Sequence, residues 1–245
     1  MKRIFTLCLL IIATIGVAQE SAVLRLNYEK GDTYLMKMNM NQNMGDGMML
    51  MSMTMHMPIE VKNVTEDVFD TEIRFSKVVM NMEQGGMKMA YDSETKLEDM
   101  DEMAKQMHTK FGPMLEMVIG TKTNNLGEVL ETKLIKGTGD ASQFANQTQS
   151  VTYPKESITV GYSWSDKREE NGMTMTYKYT VKSIDANKVI LDLSGNIAGA
   201  AEGTLSGNLS VDRELGIPNE SNITTDMSVA GQKVTSIIEL TMEKI

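Results

Sequence analysis

Methionine falls on alternate positions over a long stretch near the start of this chain. The alternation runs from Met36 to Met40 and again from Met49 to Met57. Side chains that repeat every two residues share one face of a β-strand, whereas a helix would spread them around its surface. Asp46-Gly47 lies between the two runs, and this pair favours a two-residue turn because both positions need positive φ. The sequence therefore predicts a β-hairpin with a thioether face.

The predicted turn determines which methionines lie opposite each other. With Asp46-Gly47 at the tip, Met38 pairs with Met55 and Met40 pairs with Met53. The other face of the hairpin is polar, with Lys37, Asn39, Asn41, Asn43, Ser52, Thr54 and His56. The hairpin is amphipathic, and we expect its methionines to face inward.

Further turn signals divide the rest of the chain into antiparallel strands. Gly85-Gly86 closes a predicted hairpin that places Met82 opposite Met89 and Met80 opposite Tyr91. Similar signals occur at residues 124–127, 185–187, 215–218 and 230–232. Together they predict a meander of about ten strands.

One segment has a helical period instead. Between residues 94 and 111 apolar side chains recur at spacings of three and four: Met100, Met103, Met107 and Phe111. We expect Gly112-Pro113 to end this helix, because proline lacks the backbone N–H that a helix needs. A lone amphipathic helix must bury its stripe, and the inner face of the sheet is the available surface.

A strand rich in glycine follows in the second half. Gly199, Gly203 and Gly207 share one face between Ile197 and Val211. Glycine weakens strands, so its recurrence suggests that another body, the helix or a ligand, approaches closely. The alternative is that part of this segment is a flexible loop.

The second half of the chain also resembles the first. Met53-Thr54-Met55 matches Met173-Thr174-Met175, and Val61-Lys62 matches Val181-Lys182 in the same order. An internal duplication predicts one domain over residues 20–245. Its parts are copy one at about 23–93, the helix at about 94–111, a connecting hairpin at about 115–136 and copy two at about 155–245. The predicted fold class is mainly β: a duplicated antiparallel β-meander forming a curved sheet or half-barrel, with one amphipathic helix on the concave face.

The first residues are typical of an export signal. Lys2 and Arg3 precede an apolar run that is too short to span a bilayer, so residues 1–19 are predicted to be a signal peptide. Cys8, the single cysteine, lies inside this run, so the mature chain has no thiol. We expect a periplasmic or extracellular protein without a membrane span. The net charge of -9 argues against nucleic acid as a partner.

Binding of an apolar small molecule or lipid is one function that the methionines favour. Methionine is flexible and polarizable, and it is over-used on surfaces that accept varied partners. The alternative is a dry core, since methionine stripes more often belong to a core than to a site. The candidate ligand-binding residues are Met36, Met38, Met40, Met51, Met53, Met55, Met80, Met82, Met89, Met100, Met103, Met107 and Gly203.

Binding of Cu(I) or Ag(I) is the second function considered, because thioether sulfur is a soft ligand. Met53 and Met55 share a strand face, and Met38 supplies a third sulfur from the opposite strand. His56 points to the other face and does not join them.

Catalysis is the third class, and the sequence gives it little support. The chain has two histidines and carries neither a Gly-x-Ser-x-Gly elbow nor a His-Glu-x-x-His helix. We expect no enzyme activity, name no catalytic residues and expect no cofactor.

Several short motifs carry a resemblance to a known family. They are Leu26 to Tyr34, Tyr91-Asp92-Ser93, Tyr153-Pro154 and Val160 to Trp164. With the export signal they resemble a family of uncharacterised secreted proteins of Bacteroidota. That family is similar in outline to periplasmic lipoprotein carriers, in which a curved antiparallel sheet wraps a helix and shelters acyl chains. The resemblance implies a half-barrel and an apolar ligand, without a catalytic motif.

Overall fold

Antiparallel strands make up most of the molecule. The structure is a computed structural model and describes residues 20–139, 141, 151–170 and 172–245. The predicted signal peptide lies outside the described residues. The strands are β1 (Ser21–Ala22), β2 (Thr33–Met44), β3 (Met49–Thr65), β4 (Val68–Arg74), β5 (Lys77–Gln84), β6 (Met87–Asp92), β7 (Val118–Asn124), β8 (Val129–Lys136), β9 (Ile158–Thr159), β10 (Ser163–Glu170), β11 (Met173–Ile184), β12 (Lys188–Gly199), β13 (Ala201–Asp212), β14 (Pro218–Val229) and β15 (Gln232–Lys244).

A 13-stranded antiparallel sheet contains all but two of these strands. Its order is β10-β11-β12-β13-β14-β15-β2-β3-β4-β7-β8, and β5 and β6 branch from β3. The long strand β3 makes this branch, since residues 49–56 pair with β5 and residues 59–65 pair with β4. The predicted curved antiparallel sheet with one helix is confirmed, although it has more strands than the sequence suggested.

The methionine hairpin has the predicted register. Met38 lies opposite Met55 and Met40 opposite Met53. Asp46 and Gly47 have φ values of 52° and 98°, and the N–H of Met48 donates to the carbonyl of Gly45. These angles are those of the tight turn that the Asp-Gly pair favours.

The two faces of the sheet differ in polarity. The inner face carries the inward methionines of β2 and β3 and, further along the sheet, Leu191 and Val211. The outer face carries side chains such as Asn39, Asn208 and Asn222. We call the end with the β2–β3 and β5–β6 turns the upper end, and the end with the β7–β8 and β13–β14 turns the lower end.

Two segments that the sequence analysis did not predict to pair close the lower end. Residues 20–28 and 151–159, the lower strap, join through the short β1–β9 ladder. The N–H of Leu26 donates to the carbonyl of Asn125 at 2.8 Å, and Tyr153 donates its hydroxyl to the carbonyl of Gly216 at 2.9 Å. Leu24 and Tyr153 are buried. The strap thus seals one end of the core.

The helix differs from its predicted bounds. A short 3₁₀ turn covers Leu97–Asp99, and helix α1 runs over Glu102–Leu115. It begins there because the Asp101 carboxylate accepts a hydrogen bond from the N–H of Ala104 at 2.7 Å, which caps the first turn. The prediction that Gly112-Pro113 ends it is wrong. The last turn continues past Pro113 and buries Met114.

This later start changes which side chains face inward. Met100 is buried but precedes α1, and Ala104, Met107 and Met114 form its buried stripe. The expectation that Met103 faces inward is wrong, since it is 37% exposed. Among the described residues, no helix combines the length and apolar character needed to cross a membrane.

The glycine-rich segment is strand rather than flexible loop, because β12 and β13 include all but one of its residues. A Cβ on Gly203 would overlap the carbonyl oxygen of Asp226, and a Cβ on Gly207 would overlap that of Asn222. The closely approaching body is therefore the backbone of β14. Of the two bodies expected there, a helix or a ligand, the helix lies elsewhere, since α1 packs beside β6.

The same local geometry recurs in the two predicted copies. The N–H of Gly31 donates to the carbonyl of Val61, and that of Gly161 donates to the carbonyl of Val181. The ladder register shifts just after Val61 and just after Val181. The duplication and its boundaries stay predictions, which this recurrence supports.

Candidate ligand-binding face

Exposure of the inward methionines increases from the lower end to the upper end. On β2 and β3, Met36 and Met57 are 1% and 2% exposed, and Met38 and Met55 are also buried. In the lower half, side chains therefore pack as a closed core. The dry-core interpretation describes that half of the face.

In the upper half the inner face remains mostly apolar, and many of its side chains are only half-buried, although Val234, Leu205 and Ile197 are buried there. Its half-buried side chains come from seven strands: Met40, Met51, Met53, Met82, Met89, Met173, Met175, Ile223, Met227 and Ile238. Strand pairing places Met51, Met82 and Met89 side by side on β3, β5 and β6. The result is a partly exposed, mostly apolar surface at the upper end of the sheet.

The predicted site residues therefore divide into three groups. Met36, Met38, Met55, Met80, Met100 and Met107 are buried in the core. The half-exposed surface includes Met40, Met51, Met53, Met82 and Met89. Met103 and Gly203 do not join it, since Met103 faces outward and Gly203 accommodates the neighbouring strand.

The helix covers the inner face at one side of this surface. Tyr91 on β6 stacks on Phe111 with ring centroids 5.7 Å apart, and its hydroxyl lies 3.2 Å from Nδ1 of His108. Burial, and to a smaller extent the Asp92 carboxylate, raises the pKa of Tyr91. Met80 lies opposite Tyr91 and is buried there. Helix α1 thus covers the inner face beside β6 and borders the methionine surface on that side.

An ion pair and an aromatic ring border the surface on its other side. Nε of Arg168 lies 3.1 Å from the Asp166 carboxylate, and its guanidinium lies 4.9 Å from the centre of the Tyr177 ring. Tyr177 also donates its hydroxyl to the Met175 sulfur at 3.2 Å. A cation over an aromatic face is attracted by the ring quadrupole.

Sequence reasoning missed three polar side chains within the apolar inner face. Gln42, Ser236 and Thr225 lie side by side on β2, β15 and β14, and we call them the polar strip. A signal was present, because Gln42 occupies an inward position of β2 between Met40 and Met44, where the alternation predicts methionine.

Two grooves of about 280 and 320 Å³ lie on the outer face instead. The first lies beside Gly120 between charged side chains, with Lys122 within 3.8 Å of both Asp70 and Glu131. The second is lined mainly by asparagine, serine, threonine and glutamate side chains. Their polar walls do not suit an apolar ligand.

The described residues contain no group of three or more histidine, cysteine, aspartate or glutamate side chains placed to hold a metal ion. Copper binding by methionine would use thioether sulfurs, which are not among these side chains. The three methionines of the copper interpretation do share the inner face. Met38 lies opposite Met55, and Met53 lies two residues before Met55 on the same strand. His56 lies on the outer face beside Lys37, as the register predicted.

A family model identifies the protein family to which this chain belongs. The model of a family of unknown function, DUF6263, matches residues 98–238, which is more than half of the sequence. The chain belongs to the DUF6263 family. The DUF6263 match includes all of α1, all of β7 to β14 and the upper half of β15. No curated protein matches the sequence significantly.

Solved structures similar to this DUF6263 protein include one described as "Lipid-protein interactions in lipovitellin". The two align with a TM-score of 0.58 at 10% sequence identity, over 89% of this chain and 25% of the lipovitellin chain. This chain therefore spans about a quarter of the lipovitellin chain, and the likeness shows a shared β fold. A mutant Rh. blastica porin aligns with a TM-score of 0.25 at 10% identity, over 86% of this chain and 99% of that chain, which is too low to indicate a common fold.

Proposed function

We propose that this protein is an exported, non-enzymatic binding protein that holds an apolar ligand, an acyl chain, on the upper half of its inner face. The observation that carries the proposal is the half-exposed methionine surface that continues directly from the closed core. Contiguous apolar surface left open to water commonly marks an interaction site.

The side chains of this surface suit a flexible, apolar occupant. Met51, Met53 and Met89 are unbranched, so they adjust to an acyl chain that has no single shape. Valine or isoleucine would be the usual choice for a rigid strand surface. The lower strap closes one end of the core and α1 covers one side, so the ligand would enter from the upper end.

The fold likeness adds limited support. Lipovitellin is described by its interactions with lipid, and this chain resembles a quarter of it at 10% identity. Fold similarity alone does not establish function, so the proposal depends on the chemistry of the inner face.

The binding surface can be tested with adjacent residues on opposite faces of β3. Met51→Lys places an ammonium on the inner surface, whereas Leu50→Lys changes the 44%-exposed outer neighbour. We expect Met51→Lys to raise the Kd for a fluorescent fatty-acid analogue by about tenfold or more, because an acyl chain would desolvate the charge. Leu50→Lys should leave the Kd unchanged.

Native mass spectrometry of the protein purified from its own source provides a second test. An acyl ligand would appear as a heterogeneous mass excess that disappears after delipidation. A clean apo mass together with no binding of the fluorescent analogue would refute the proposal.

Binding of Cu(I) or Ag(I) is a second candidate because methionines form rows of three across neighbouring strands. Met51, Met82 and Met89 make the accessible row, and Met40, Met53 and Met80 make the next. Replacing Met51, Met82 and Met89 with leucine should abolish stoichiometric Cu(I) uptake if the metal binds the accessible row, and replacing Met38, Met53 and Met55 should abolish it if the metal binds the triad expected from the sequence. Either set of substitutions should change acyl binding little.

A further inference from the structure

The polar strip interrupts an otherwise apolar row of the inner face. Through strand pairing, the row runs from Leu205 through Thr225, Ser236 and Gln42 to Met51. Adjacent strands lie about 4.8 Å apart, so the strip is about 10 Å wide. It separates the apolar surface above β13 from the methionines of β3, β5 and β6.

The three side chains of the strip have hydrogen-bonding capacity left over. Gln42 donates from Nε2 to the Ser236 hydroxyl oxygen at 3.1 Å. The Thr225 Oγ1 is buried and has no hydrogen-bond partner within the described part of the chain. Burying a hydroxyl without a partner is unfavourable, so its retention on this face calls for an explanation.

The strip carries no formal charge. The charged pair of the inner face, Arg168 and Asp166, lies at the far side of the sheet on β10, and its members neutralise each other. An anionic head at the strip would lack a cation and would enter a protein of net charge -9. Neutral amide and hydroxyl groups instead match a hydroxyl, which both donates and accepts.

We infer that Gln42, Ser236 and Thr225 bind the polar end of the ligand, and that this ligand is a single-chain amphiphile with an uncharged hydroxyl head. This inference rests on the proposed function and adds the chemical class of the ligand. The alkyl chain lies from the strip across Met51, Met82 and Met89, a span of about 14 Å at the spacing of adjacent strands. Because Ser236 is buried and the Thr225 Oγ1 is inaccessible in this conformation, binding requires both hydroxyls to rotate toward the ligand.

The experiment compares three pyrene-labelled alkyl chains of equal length that end in a hydroxyl, a carboxylate or a methyl group. The wild-type protein should bind the hydroxyl-ended chain about tenfold more tightly than the methyl-ended one, since a site built for hydrogen bonds discriminates against a ligand that lacks them. It should also bind the hydroxyl-ended chain more tightly than the carboxylate.

Matched variants locate the effect on the strip. Thr225→Val and Ser236→Ala together should remove the preference for the hydroxyl-ended chain over the methyl-ended one. Thr224→Val is the control, because Thr224 is the neighbouring residue on the outer face, opposite Ile237. Gln42→Leu provides an independent variant should the double substitution fail to fold, as judged by circular dichroism.

The outcomes separate the two proposals. Equal affinity for all three chains, or tightest binding of the carboxylate, overturns the assignment of the head group while the acyl-binding proposal stands. Preference retained in both the double variant and Gln42→Leu also overturns it. Failure to bind any of the chains overturns the proposed function itself.

Discussion

Gly207 on β13 lies against Asn222 on β14 so closely that a Cβ would overlap the Asn222 carbonyl oxygen. Gly203 has the same relationship with Asp226 four residues earlier, and Gly195 with Thr176 on β11. Each contact joins a glycine on one strand to the backbone of its neighbour. Glycine at these positions permits local bending of the sheet without a steric clash.

Gly207→Ala should therefore destabilise the protein. We expect a loss of about 1–3 kcal/mol in the free energy of unfolding, because the neighbouring strand must move to admit the methyl group. Urea denaturation followed by circular dichroism measures the loss. Gly112→Ala is the control, since nothing lies within 4 Å of a Cβ in that helical position. It should stabilise by about 0.5–1 kcal/mol, and equal effects of both substitutions would contradict this account.

The closed and open halves of the methionine surface should respond differently to truncation. Met36→Ala removes a side chain that is 1% exposed and should cost about 2–5 kcal/mol of stability. Met51→Ala removes a half-buried side chain of the open half and should cost less, about 0.5–1.5 kcal/mol. Thermal unfolding of both variants without added lipid measures the difference. A similar, small effect of both would mean that the lower core is not tightly packed.

The helix should depend on its cap. Asp101→Ala removes the carboxylate that accepts from the N–H of Ala104 and should cost about 1 kcal/mol. Asp101→Asn keeps an oxygen acceptor and should cost less. Denaturant unfolding of the two variants checks the order, and an equal loss in both would point to the charge rather than the hydrogen bond.

The buried tyrosines should make the folded protein less stable at alkaline pH. Burial raises the pKa of Tyr179 from 10.0 to about 12, and burial also holds the pKa of Tyr153 well above 10.0. The folded state therefore keeps these protons when the unfolded state has lost them. Their contribution to stability is complete below pH 10 and falls as the pH rises through about 12.

Tyr179→Phe should make the alkaline loss smaller, because phenylalanine has no proton to lose. The measurement is the urea midpoint at about pH 9 and about pH 11, compared between wild type and variant. The same dependence on pH in both proteins would show that Tyr179 does not contribute.

Local sequence signals determined much of this structure. The alternation from Met36 to Met57 and the Asp46-Gly47 turn specify the hairpin register, because both the strand period and the turn angles act between near neighbours. The β5–β6 and β7–β8 turns follow from the same chemistry. The existence of one helix also followed from its apolar period, but the start and phase of α1 depended on the Asp101 cap.

Tertiary structure decided the rest, because contacts distant in sequence leave no local period. The pairing of β15 with β2, the branching of β3 and the lower strap join residues far apart in the chain. Which methionines are core and which are half-exposed depends on where the strap and helix lie. The polar strip exists because the pairing of β15 with both β14 and β2 brings Thr225, Ser236 and Gln42 side by side. The sequence by itself determined an amphipathic methionine sheet, and only its three-dimensional pairing decided where that surface stays open.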